Sequence, residues 1–581
     1  MADYFRDLIA IGPELILCGT LLVVLLVDLW RVGRDRAIVW WIALIVTFLS
    51  CLAMVQIGSL YHQEEAIVGG MALLPEFIGL AGIYTLVTVC ESYYRGRDEW
   101  LPGVIVMIGT VLAGYRLWGI GSDVFSGLSP STAYWGSLVQ EDGLGVFLRA
   151  IGLFSLFFCA LFAIYYRPFN KGINRHGVSE WLLCLIGATI GGMFLVQTWN
   201  MLFLFLSLEM LSLCSYLQAG MLKGDRRSGE ASLKYVLYGS MASAFMLFGF
   251  SLLYAFTGQL ELPAIRDSLV TIWAAGGIGD AEGLLLWVAL LGSLTGFAFK
   301  ISAVPFHFWT PDVYEGSPTP TTAFLAAGSK ALSFGILIRF VVLLGDISYG
   351  PRILELLAWV AALTMTYGNL AALRQSNLKR LFAYSSIAHA GYMIMGIVAL
   401  FAITKDTTTG VVTAGALNVD GAKGVLFYLL AYAIMNMGAF GVLIYLANRT
   451  GSEEIADIHG LGWKAPVVCG TMVVFLLSLT GVPPTAGFFG KYYLFVAALE
   501  SGYGWLVVVA GLNTVVSLVY YFRIAKALFL RNEEEAFVDV KVTKVFAFSL
   551  VVLALLTLYF GIFAGDATAI LQEVGTTLQA R

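Results

Sequence analysis

Residues 296–330, GFAFKISAVPFHFWTPDVYEGSPTPTTAFLAAGSK, set two lysines, Lys300 and Lys330, into apolar runs that prolines and glycines interrupt. A charged residue at the centre of a bilayer costs at least about 2.5 kcal/mol on the mildest scale, so it faces a protein-lined or wet interior and marks an ion path. Pro305 has no N–H and crowds the carbonyl four residues back, so the helix carrying Lys300 is expected to open just after it. The same combination recurs downstream at 478–495, SLTGVPPTAGFFGKYYLF, where Pro483, Pro484 and three glycines open a helix just before Lys491. Upstream, 202–217 (LFLFLSLEMLSLCSYL) carries Glu209, and 233–254 (LKYVLYGSMASAFMLFGFSLLY) begins beside Lys234. Broken helices at corresponding places in two halves of a membrane protein point to a transport site.

The chain is 59% hydrophobic and only 12% charged, with repeated apolar runs long enough to cross a bilayer as helices. The fold class expected is an all-α polytopic membrane protein. The alternating ten-residue segments of a membrane barrel are missing. The start, MADYFRDLIAIGPELILCG, has neither a basic n-region nor a small-residue cleavage site, so no signal peptide is expected. Cys18, Cys51, Cys90, Cys159, Cys184, Cys214 and Cys469 stand singly, without metal-ligand spacing, so neither an iron–sulfur cluster nor a structural zinc is expected. The loop GGIGDAEG at 276–283 follows no strand and reads as a connector, not a phosphate cradle. The net charge of −4 identifies no partner, and none of nucleic-acid type is expected.

Sixteen spans are read, near 8–30, 37–58, 71–91, 101–120, 143–166, 180–196, 199–222, 231–257, 282–306, 319–345, 353–374, 380–403, 423–447, 466–498, 503–526 and 545–567. Alternate loops hold most of the basic residues, among them Arg31, Arg34, Arg36, Arg95, Arg97, Arg226, Arg227, Lys379, Arg380, Lys541 and Lys544. By the positive-inside rule those loops are cytoplasmic and both termini lie outside. That alternation fixes parity, and fourteen spans satisfy it as well as sixteen. The run at 233–254 is loosely matched by 426–446, LFYLLAYAIMNMGAFGVLIYL, so two five-helix repeats are expected over roughly 180–345 and 353–528, the second inverted. The chain divides accordingly into N-terminal helices at 1–142, a connecting helix and first repeat at 143–345, a second repeat at 346–530 and a last helix at 531–581.

Lysine suits a proton relay because burial strips hydration from its ammonium and a nearby carboxylate restores the charged form. A Glu–Lys pair that separates and reforms is a switch, and Glu209 with Lys234 or Lys300 is the candidate pair. A static ion pair tying helices together is the plainer reading of any one such pair, but it does not explain lysines recurring beside breaks. His389 lies among hydroxyls in YSSIAHAGYMIMG and can shuttle protons, or can be a satisfied core histidine. His307 follows the Pro305 break and is expected to do no more than satisfy freed carbonyls. Arg116, Arg149 and Arg339 read as packing residues, since arginine keeps its proton. Glu14, Glu76 and Glu355 have no basic partner in local sequence.

The stretches 299–330, 377–393 (NLKRLFAYSSIAHAGYM) and 481–495 (GVPPTAGFFGKYYLF) together resemble the antiporter-like subunits of respiratory complex I and of multisubunit cation/proton antiporters. The likeness runs from about 143 to 567 and is closest to the subunit N type of proton-translocating NADH-quinone oxidoreductase. GFFGKYYLF carries lysine where the M-type subunit would have glutamate, and the long lateral helix of the L type is not expected after the last span. The resemblance implies a core of fourteen helices with two inverted five-helix repeats. It also implies a hydrophilic axis on which Glu209, Lys234, Lys300, Lys330, His389 and Lys491 match the family's proton-pathway positions. Residues about 60–140 depart from the pattern as an insertion, expected to add two peripheral helices and a Ser/Gly-rich outer loop.

The activity implied is proton translocation in the membrane arm, with no cofactor bound by this chain. NADH, FMN, iron–sulfur clusters and quinone would belong to partner subunits. The partners implied are other membrane-arm subunits, including a sibling antiporter-like one, with lipid around them, in a bacterial inner membrane. A subunit of a cation/proton antiporter or a membrane-bound hydrogenase is the alternative, and a passive membrane scaffold a second one.

Overall fold

The structure, a computed structural model, describes residues 11–31, 101–125, 132–134, 138–170, 177–274, 280–345, 350–405, 412–530 and 543–579. The expected spans at 37–58 and 71–91, and the 60–140 insertion up to residue 100, lie outside them. Within them the helices are α1 (Gly12–Arg31), α2 (Leu101–Phe125), α3 (Gly143–Tyr165), α4 (Gly177–Gln197), α5 (Met201–Ala219) and α6 (Arg226–Thr257). There follow α7 (Leu262–Ala274), α8 (Asp280–Ile301), α9 (Trp309–Gly316), α10 (Thr319–Phe324), α11 (Lys330–Gly345), α12 (Gly350–Ala372) and α13 (Leu378–Val398). The last are α14 (Val419–Thr450), α15 (Pro466–Thr480), α16 (Ala486–Glu500), α17 (Gly504–Phe529), α18 (Lys544–Ile562) and α19 (Ala564–Gln579). Twelve helical stretches among the described residues are long and apolar enough to cross a membrane, so the chain is a multi-pass membrane protein. Hydrocarbon offers backbone groups no partners, which is why the crossings are helical.

The two halves repeat one plan. Asn200 caps α5, accepting from Leu202 N and Phe203 N, and Asn377 caps α13, accepting from Arg380 N. Each capping asparagine also forms an isolated antiparallel bridge to the loop after the next helix, Asn200 with Glu261 and Asn377 with Glu454. That next helix is 32 residues long in both halves, α6 and α14, and stops at a left-handed glycine, Gly258 (φ 65°) or Gly451 (φ 74°). A broken crossing follows: α8 ends at Ile301 and resumes as α9 at Trp309, while α15 ends at Thr480 and resumes as α16 at Ala486. Five crossings is an odd number, so corresponding helices run in opposite directions.

Buried α13 and α14 form the centre. At Gly249 of α6 an added Cβ would lie 2.3 Å from Ser293 N of α8, and at Gly368 of α12 one would lie 2.5 Å from Ala388 N of α13. Absent side chains there let backbones approach, the packing mode membrane helices favour. Outer faces carry apolar stripes at helical spacing: Leu233, Leu237, Met241, Phe245 and Phe248 on α6, and Val508, Leu512, Val515, Val519 and Phe522 on α17, all exposed. In a bilayer such stripes face lipid or an apolar neighbour.

Several features differ from expectation. The span at 319–345 is continuous but not uniformly α-helical, because Leu325–Ser329 forms a π turn directly before Lys330. No proline or charge signals it. Two short hairpins, β1–β2 (Thr132–Tyr134 with Val139–Glu141) and β3–β4 (Phe401–Lys405 with Val412–Leu417), sit in connections read as loop or helix end. The helices α7 and α19 were not anticipated; α19 follows the last span and packs on α14 and α3.

Candidate proton path

Lys300 stands on the last turn of α8, 2% exposed. Its Nζ donates to Ser212 Oγ of α5 at 3.1 Å and to Tyr235 Oη of α6 at 3.4 Å. The Tyr216 and Tyr235 rings flank the ammonium at 5.9 and 5.5 Å. The carbonyls freed at the break are taken locally: Trp309 Nε1 donates to Phe299 O at 2.9 Å, and Ala303 N to Ala298 O at 2.8 Å. His307 stands beside the break with its ring towards the Pro305 backbone. The ring is buried and packs against the Tyr367 ring.

The expected contact between Glu209 and a lysine is not made. Glu209 accepts from Ser243 of α6, one turn of α5 away from the Ser212 that holds Lys300. Its charge still reaches Lys300. Lys234 lies outside the buried row, with its side chain 37% exposed, and pairs with Glu230 and Asp312 at 2.7 Å each. Asp312 also binds Arg380 at 2.7 Å, and Arg380 binds Glu315 at 2.9 Å, so α6, α9 and α13 meet in a half-exposed charge network. The start of α6 is close enough to the helix end for Lys234 to reach those acids, which a buried partner would have prevented.

Lys330 is 1% exposed and donates to Ser386 O at 2.8 Å and Ser386 Oγ at 2.5 Å. Ser386 Oγ also meets Tyr432 Oη at 2.9 Å and Tyr314 Oη at 3.4 Å. One turn along α13, His389 Nδ1 lies 2.6 Å from Tyr428 Oη and Nε2 lies 3.0 Å from Tyr521 Oη. Tyr521 continues to Ser385. A further turn brings Tyr392, whose ring lies 4.8 Å from Lys491 Nζ. Lys491, 4% exposed, donates to Leu479 O at 3.1 Å and Thr480 O at 2.8 Å. Those carbonyls end α15, where the helix dipole favours a cation.

One face of α13 thus presents Ser386, His389 and Tyr392 in sequence between Lys330 and Lys491. The charges of both lysines reach His389. Among the described residues, Lys300, Lys330 and Lys491 bond only to neutral oxygens. Between Tyr235 and Tyr314 the hydrogen-bonded line is interrupted by Trp309, stacked on Tyr235 at 4.4 Å.

The family profile described as NADH:quinone oxidoreductase/Mrp antiporter, TM, matches residues 198–517, which contain all six of these candidate positions. The chain belongs to that family. A relative named NADH-quinone oxidoreductase subunit N 2, from Chloroherpeton thalassium, is 36% identical over 533 residues, covering 90% of this chain and 98% of its own length. In solved structures, a chain of respiratory complex I from Thermus thermophilus with bound aureothin matches with TM-score 0.62 and 30% identity, covering 84% of this chain and 97% of that one. A chain of the Mrp complex from Dietzia sp. DQ12-45-1b shares the fold, with TM-score 0.67 at 18% identity over 88% of this chain and 98% of that one.

In this antiporter-family chain the tyrosines are what residue reading missed. Tyr235, Tyr314, Tyr428, Tyr432 and Tyr521 are all buried and face one another, the lysines or His389. A tyrosine in an apolar span needs a partner for its hydroxyl, a signal that was available in the YLLAY and LVYYF runs. Glu14, set aside for want of a basic partner, has one 135 positions away in Arg149, at 3.4 Å.

Proposed function

We infer that this chain is a proton-translocating membrane-arm subunit of an NADH-quinone oxidoreductase, of the subunit N type. Redox chemistry with NADH, FMN, iron–sulfur clusters and quinone would reside in partner subunits, among them a sibling antiporter-like chain. The setting is a bacterial inner membrane with both termini outside. The observation that carries the reading is the row of three buried lysines on neutral oxygens, two of them joined by one face of α13.

The chemistry follows from what each side chain can hold. Lys300 keeps or releases its proton according to the charge near Ser212, where Glu209 stands one turn away. A carboxylate close by favours the charged ammonium, and one farther off lets the proton go more readily. Lys330 hands a proton to Ser386 Oγ as that hydroxyl passes its own to a neighbouring tyrosine oxygen; the hydroxyls of Tyr432, Tyr428 and Tyr521 can likewise each accept one proton while donating another. His389 accepts at one ring nitrogen as it gives at the other, and Lys491 is the terminal acceptor. Each transfer alters the field at its neighbour, so the row conducts in steps.

The test uses the assembled complex in proteoliposomes. Lys300→Ala should leave NADH oxidation by a soluble artificial acceptor at the wild-type rate while quinone-coupled proton uptake collapses. Wild-type pumping by an assembled Lys300→Ala complex would refute the reading.

A further inference from the structure

A second group of buried charges lies away from the lysine row, at the end of the membrane where α1 and α3 begin. Arg149 of α3, fully buried, holds Glu14 of α1 at 3.4 Å and Glu141, the last residue of β2. Next in chain, Asp142 caps α3 by accepting from Gly145 N at 2.8 Å and takes both Arg339 nitrogens, Nη1 and Nη2, at 2.7 Å each. Gln197, at the end of α4, donates to Glu141 Oε1 at 3.1 Å. Among the described residues three carboxylates therefore face two guanidiniums, leaving one negative charge in excess where Glu14, Glu141, Asp142, Arg149 and Arg339 are each 2% exposed or less.

The three acids are not equally satisfied. Asp142 is held by three donors and Glu141 by two, in Arg149 and Gln197. Glu14 has one long contact, and its Oε2 is buried without any hydrogen bond. Gln197 Oε1, in the same cluster, is a buried acceptor that also has no donor. An uncompensated charge in such a place is costly, and a single proton removes it. Arginine cannot supply the adjustment because it never deprotonates. Position in the first turn of α1 favours a carboxylate through the helix dipole, a small term beside the excess charge. The other groups around Glu14 do not change the balance. From α2, Arg116 packs against Gly12 and acts on Asp123 of its own helix. On α1 itself Cys18 is one turn along, and α4 contributes only neutral Gln197.

We propose that Glu14 is a proton-binding site of this chain, distinct from the lysine row, which takes up one exchangeable proton as a neutral carboxylic acid. The site is wired to the row. Arg339 and Lys330 stand on the same helix, α11, and Ser155 of α3 packs at Gly328 in the π turn before Lys330. A proton bound at Glu14 removes a negative charge from the same scaffold that positions the Lys330 ammonium, so occupancy at the two places is linked.

Infrared difference spectra between acid and alkaline pH, recorded on the purified complex, read this directly and do not depend on pumping. The wild-type complex should show the carbonyl stretch of a titrating carboxylic acid, shifted in deuterium oxide, and Glu14→Gln should lose that band at unchanged subunit content and unchanged NADH oxidation by a soluble acceptor. Identical spectra from the two complexes would overturn the proposal. So would a band that vanishes when sodium replaces choline as the only cation, since the site would then hold a metal cation. If Glu14→Gln does not assemble, Glu14→Asp, which retains a carboxyl one methylene shorter, should displace the band; an undisplaced band would again count against it.

Discussion

The two broken crossings place their lysines on opposite sides of the gap. Lys300 precedes its break and donates across to hydroxyls on α5 and α6. Lys491 follows its break and turns back onto the last carbonyls of α15. Both sites use the end of an opened helix, but only the first has a carboxylate whose charge reaches it, Glu209. Backbone carbonyls neither gain nor lose protons. On the proposed path the first half is therefore the place where a charge change would be imposed, and the second would follow what reaches it along α13.

The largest effect that can break this division is expected at Lys330, which stands between the halves. Lys330→Ala should lower coupled proton uptake by about a hundredfold, the scale of losing a positioned acid–base group, with NADH oxidation by a soluble acceptor intact. Normal uptake in that variant would show that the halves work independently. Lys491 sharpens the comparison further. Lys491→Met and Lys491→Arg should both lose coupled uptake by about tenfold or more, because arginine supplies the charge but cannot release the proton. Recovery by arginine alone would reduce Lys491 to an electrostatic anchor on α15.

A smaller change is expected at Glu209, where Glu209→Gln keeps the Ser243 contact but removes the imposed charge. Coupled uptake should fall roughly three- to tenfold, in line with one charge–charge interaction across a turn of helix. An effect equal to that of Lys300→Ala would mean that Glu209 carries the proton itself. The smallest effect is expected from Tyr521→Phe, which deletes the hydroxyl joining His389 to Ser385 without changing volume. One lost hydrogen bond is worth about 0.5–1.5 kcal/mol, so uptake should slow roughly two- to tenfold. A double-mutant cycle with Tyr428→Phe measures how far His389 can use either partner.

How much of this could be read beforehand depends on the kind of signal. A lysine inside an apolar run, or a proline pair at mid-span, is visible residue by residue, so Lys300, Lys330, Lys491 and both breaks were legible. Their partners were not picked out: Ser386 looks like any other polar residue tolerated in a span, and the runs holding Tyr428 and Tyr521 say only that each hydroxyl needs a partner, not which one. Only packing brings them to one face of α13. Glu209 acts on Lys300 through its charge, but the serines that hold each of them, Ser243 and Ser212, carry no signal in their runs. Arg149 and Glu14 escaped for a different reason: their bond joins helices far apart in the chain, with no local pattern. The π turn at Leu325–Ser329 had no breaker to announce it.

That π turn has a mechanical meaning. A π turn holds one residue more than an α turn, so the stretch before Lys330 carries a spare residue in its winding. Deleting a single residue there, Ala327 for instance, would let the span close into ordinary helix with the turns on either side facing nearly as they do now. Lys330 would keep its side towards Ser386, and α10 its seat beside α14. In most transmembrane helices a one-residue deletion ruins the register of everything beyond it. Here the slack beside the Lys330 ammonium would absorb the loss, so this is the one turn of the span that can be shortened without losing its register.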